Sequence, residues 1–95
     1  MPLGDYAILL IDIESGELLD HTRLGGLDWH LAYRIAVEAW ERLGGWREAW
    51  RELGRPLEVD VTLDEGYVKL IADWEAGLLR VLVSRHASLA LPPSP

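Results

Sequence analysis

The three imidazoles, His21, His30 and His86, are the first groups in the chain that could do chemistry. Two have an aspartate close by, as Asp20-His21 and Asp28-x-His30. A zinc-binding pair on a helix is spaced i, i+4 so that both rings meet one ion, and a third ligand must stand near. Neither pair has that spacing or a third ligand, so these residues are expected to be solvated loop and helix-start positions. Nucleophilic catalysis would need Ser15, Ser84 or Ser88 beside a base. Ser15 falls in a tight turn, and the other two lie at the end of the last strand or beyond it. The paired carboxylates Asp64-Glu65 are turn chemistry. Gly25-Gly26 precedes a helix as a phosphate loop does, but it lacks a further glycine and the Lys-Ser/Thr ending. A strand-to-helix hinge accounts for it better. Arg47 and Arg51 stand one helical turn apart and are expected to pair with Glu48 and Glu52. No catalytic residue, cofactor site or metal site is expected, and the chain does not read as an enzyme.

Composition narrows the classes further. The chain has 95 residues, about half of them apolar, with a net charge of −7. That is enough for one folded domain with a modest core, and too apolar for disorder. The acidic balance argues against binding nucleic acid or an anionic membrane by bulk charge. There is no cysteine, hence no disulfide framework or thiolate site. No apolar run approaches the length that spans a bilayer, and the first residues lack the basic start of a signal peptide. A cytoplasmic location is the expectation. The absence of Asn and Gln, with eight Arg to one Lys, suits a thermophilic source.

The elements follow from loops and periodicity. Glu14-Ser15-Gly16, Asp64-Glu65-Gly66 and Glu75-Ala76-Gly77 each place a glycine after two turn-compatible residues. Each predicts a three-residue hairpin loop with glycine in the left-handed region. The chain therefore reads as a hairpin, Tyr6–Asp12 with Leu18–Arg23, then a helical region Asp28–Leu53, then a meander of Leu57–Leu63, Tyr67–Trp74 and Leu78–Ser84. The first and fifth strands are apolar on both faces and belong in the centre. The second and third are mixed and belong at the edges. An α+β fold with an antiparallel sheet in order 2-1-5-4-3 satisfies all of this. Residues 1–91 would form the domain and 92–95 a proline-rich tail. Gly44-Gly45 should break the helical region, because the 16 residues Asp28–Leu43 cover about 24 Å, close to the span of a seven-residue strand.

The helix carries more apolar surface than one sheet face can hide. At about 100° per residue its apolar side chains fill an arc of about 240°, whereas a stripe a little over 100° suffices for packing on a sheet. Leu31, Ile35, Ala39 and Leu43 are expected to face the sheet. Trp29, Tyr33, Val37 and Trp40 then need another cover, which a second subunit would provide unless Trp46 and Trp50 fold back. The two-faced central strands leave one sheet face bare, a second sign of association. The edge strand, with Leu57, Val59 and Val61, has no internal Pro or Lys and is expected to pair with its symmetry mate.

The hairpin "YAILLIDIESGELLDHT" and the closing "VDVTLDEGYVKLIADWEAGLLRVLVSRHASLAL", joined through a helix, resemble the roadblock/LC7 family. The resemblance covers about Asp5 to Leu91 and lacks that family's N-terminal and C-terminal helices. It implies a homodimer or higher oligomer formed through the central helix and third strand. It also implies a non-catalytic platform or regulator for a small Ras-like GTPase. The alternative is a small-ligand sensor of profilin-like or PAS-like architecture, which would need a pocket with convergent polar groups.

Overall fold

The computed structural model describes residues 5–85; His86, Ser88 and the 92–95 tail lie outside them. Five strands form one antiparallel sheet in the order β2-β1-β5-β4-β3, the expected topology. The strands are β1 Tyr6–Asp12, β2 Leu18–Leu24, β3 Glu58–Leu63, β4 Gly66–Asp73 and β5 Leu78–Arg85. Between β2 and β3 run helix α1, Trp29–Leu43, a 3-10 turn, Gly44–Trp46, and helix α2, Arg47–Leu53. Asp28 caps α1, accepting the His30 N–H at 2.9 Å on its Oδ1. Gly54, at φ 92°, ends α2 where a side chain would be strained.

Alternation along the central strands builds the core. Ala7, Leu9 and Ile11 of β1, Val68, Leu70 and Ala72 of β4, and Leu79, Val81 and Val83 of β5 all point to the helix face and are buried. Ala32 and Ala36 of α1 close that layer with no exposed surface. The expected sheet-facing stripe is right in part: Ile35 and Ala39 pack against the core, but Ala32 and Ala36 lie at its centre. The helix approaches through alanines, which let its backbone come close, and Leu31 is left 39% exposed. The approach is nearest to β1 and β2, so α1 sits off-centre and the inner face of β3 is thinly covered.

In two of the three loops the glycine takes the expected left-handed region, Gly16 at φ 76° and Gly77 at φ 71°, but both loops are longer than three residues: Asp73 pairs with Leu78 across four, and Asp12 bonds to Glu17 across four. Asp12 supplements its loop by accepting the N–H groups of Glu14 and Ser15 at 2.8 and 3.0 Å. The middle loop differs. Leu63 pairs with Gly66, so the turn is the two residues Asp64 and Glu65, and Gly66 opens β4 without a positive φ. Its glycine is needed for space, because a Cβ there would collide with the backbone carbonyl of Ser84 on β5.

Candidate interaction surface

The tryptophans pack largely on one another. Trp40 of α1, Trp50 of α2 and Trp74 at the end of β4 form a triangle with ring centroids 5.7 to 6.4 Å apart. Trp74 donates its indole N–H to the Pro56 carbonyl at 2.8 Å, which ties the approach to β3 onto the cluster. Arg55 lies over Trp74 at 4.7 Å and Arg47 over Trp50 at 5.4 Å. Arg47 thus spends its charge on an aromatic face, rather than on Glu48 or Glu52 as expected. Trp50 does fold back on α1, whereas Trp46 stays 64% exposed.

The other residues expected at a subunit interface also have contacts within the protomer. Trp29 is half-buried and stacks on His21 of β2 and on His30, with centroids 4.4 and 3.7 Å away. The Tyr33 hydroxyl donates to the carbonyl of Gly16 in the β1–β2 loop. Val37 lies beside Ile11, Ile13 and Trp40. Tyr33 and Val37 therefore look toward the β1–β2 loop. Residues 31 and 35 fall on the opposite flank of a 3.6-residue helix.

Leu31 on that flank is 39% exposed, and Val61 and Leu63 on the inner face of β3 are 40% and 53% exposed. Beside the start of β3 lies a pocket of about 320 Å³ among Leu43, Trp46, Trp50, Leu53 and Val59. Leu57 and Leu53 on its border are largely exposed.

Among the described residues β3 has no neighbour on its outer side. The Ala72 N–H donates to the Leu57 carbonyl at 2.9 Å, and the register pairs Val59 with Leu70 and Asp60 with Lys69. Antiparallel ladders alternate, so the N–H groups of residues 59, 61 and 63 bond inward to β4. Those of Glu58, Asp60 and Thr62 point outward. The acids that guard this edge are partly neutralised by Lys69, whose Nζ lies 3.7 Å from Glu58 and 4.0 Å from Asp60. Like charges are therefore less of an obstacle to edge pairing than the sequence suggests.

The groups weighed for chemistry are spread over the molecule. Asp28 Oδ1 lies 3.2 Å from His30 Nδ1, and Asp20 accepts the backbone N–H of His21 at 2.8 Å. Hydrogen bonding from the His30 N–H holds the Asp28 carboxyl below its ordinary value. Among the described residues, no three His, Cys, Asp or Glu side chains come together as a metal would require. Ser15 Oγ accepts the Glu17 N–H inside its loop. Gly25, at φ 80°, packs against Asp5, whose carboxylate takes a hydrogen bond from Arg85 and is held below its ordinary value chiefly by it. The Gly25-Gly26 hinge is thus occupied by an internal ion pair. Asp5–Arg85, Tyr33–Gly16 and Trp74–Pro56 were not foreseeable from spacing, since each joins residues far apart in the chain. No helix among the described residues is long and apolar enough to cross a membrane. No protein-family model matches the chain, and no curated protein matches it.

Proposed function

We propose that the chain is a non-catalytic interaction module that works as a homo-oligomer, joined along β3 and the adjoining flank of α1. The observation that carries this is the coincidence of exposed apolar side chains and outward backbone donors along one edge strand. Val61 and Leu63 are exposed on the inner face of β3, Leu57 and Leu53 are exposed beside it, Leu31 is exposed on α1, and the N–H groups of Glu58, Asp60 and Thr62 point outward. A second copy meets both needs: its own β3 extends the ladder, and its own apolar side chains cover these. In this arrangement the helix contributes Leu31 and Ile35, while Trp29, Tyr33, Val37 and Trp40 support it from within. Leu57, Val59 and Val61 remain the strand's contribution.

The roadblock/LC7 resemblance adds a class of partner, a small Ras-like GTPase docked on the assembled sheet. The sensor alternative is supported less, because the pocket beside β3 is lined almost wholly by apolar groups, with Glu58 its only ionisable side chain.

Native mass spectrometry separates the two. An oligomer that carries no small molecule, and that Leu31→Asp or Val61→Asp dissociates, is expected. A monomer carrying a bound small molecule would refute the module and favour the sensor.

A further inference from the structure

Among the described residues nothing covers the sheet face turned away from α1, and it carries a cross-strand pattern of its own. One row reads Asp20 on β2, Leu10 on β1, Arg80 on β5, Ile71 on β4 and Glu58 on β3. The next row reads Thr22, Ile8, Leu82, Lys69 and Asp60. Ile8 and Ile71 are 46% and 40% exposed, although they belong to strands whose other side is fully buried. Lys69 is engaged by Glu58 and Asp60. Arg80 has no hydrogen bond or ion pair to any described residue, so a free guanidinium stands among Leu10, Ile71 and Leu82.

We propose that this face binds a second copy of the chain back to back, with the two-fold axis running along β1. Such an axis reflects the order of strands, so β5 of one copy lies over β2 of the other. Ile8 and Leu10 then meet their own symmetry mates, and Arg80 meets the partner copy's Asp20 twice over. Centring the axis on β5 would set Arg80 against Arg80. Centring it on β4 would set Lys69 against Lys69. Of these three central strands, β1 alone places apolar on apolar at the centre and opposite charges beside it. Sheets packed in this way stand about 10 Å apart, within reach of an Arg–Asp pair. The overlap of three strands covers roughly 300 Å², the scale at which apolar patches mark interfaces.

Other occupants fit less well. Residues 86–95 and 1–4 supply no acidic side chain to meet Arg80. An acidic amphipathic helix from another protein would satisfy Arg80, but would leave unexplained why Asp20 sits at the mirror position across Leu10. The surface is separate from the β3 edge, so the two associations are independent.

The cysteine-free chain allows a direct test. Ile8→Cys in the full chain, treated with a short bifunctional thiol crosslinker, should give a covalent dimer, while Glu38→Cys on the polar face of α1 should not. Asp20→Arg or Arg80→Asp added to Ile8→Cys should cut the dimer yield about tenfold, since like charges then face each other, and the double exchange should restore it. Circular dichroism confirms that each variant is folded; both charged positions are exposed. An Ile8→Cys chain that is modified but stays monomeric would overturn the proposal, leaving the β3 interface untouched. One that resists modification while monomeric would overturn it too, and would show the face covered by the chain's own terminal residues.

Discussion

Gly66 and Gly77 look alike in sequence and are constrained by different physics. Gly77 needs its left-handed φ of 71° and has open space around it, whereas Gly66 needs room beneath the Ser84 carbonyl. Gly77→Ala is expected to cost about 1 kcal/mol of backbone strain. Gly66→Ala must move a strand and should cost about 2–3 kcal/mol. Urea unfolding of the two variants checks this, and equal losses would contradict it. Trp40→Ala removes the centre of the tryptophan triangle and should cost about 3 kcal/mol at any protein concentration. Asp12 and Asp28 are both held below the ordinary aspartate range, Asp12 mainly by the Ser15 N–H and Asp28 mainly by the His30 N–H. A depressed folded pKa adds stability above the unfolded value, and that stability is lost as pH falls through the folded one. The chain should therefore lose stability below about pH 4, and Asp12→Asn should flatten that acid limb in pH-dependent melting. An unchanged limb would mean that the carboxylate does not matter.

At the scale of elements, the strand order and the break at Gly44-Gly45 were legible because burial pattern and length set them. β1 and β5 are apolar on both faces, and only central strands can be. The flank of α1 that meets the sheet was not legible. Angular arithmetic yields an arc without a direction, and side-chain size hides the close approach that Ala32 and Ala36 allow. The direction is set by how closely alanines let the helix approach, and by the Tyr33 bond to a loop 17 residues earlier. The site was legible in part for the same reason. The exposure of β3 showed in its alternation, whereas the Leu31 flank depends on the helix rotation. The Val59 N–H points into the sheet, so Val59→Pro should unfold the domain. The Asp60 N–H points outward, so Asp60→Pro should leave the fold intact and weaken association. Circular dichroism of both variants decides it; an unfolded Asp60→Pro together with a folded Val59→Pro would reverse the assigned ladder.

At the scale of the molecule, a chain of 10.7 kDa leaves apolar surface on both sides of its sheet. The proposed association would remove that surface from water and link folding to protomer concentration. The melting temperature should rise with concentration in the wild type and less steeply in Asp60→Pro. Sedimentation velocity over a micromolar concentration series shows whether the β3 side holds two copies together. A species of at least twice 10.7 kDa is expected in the wild type, with Asp60→Pro needing a higher concentration to form it. A wild-type chain that sediments at 10.7 kDa throughout the series would contradict it.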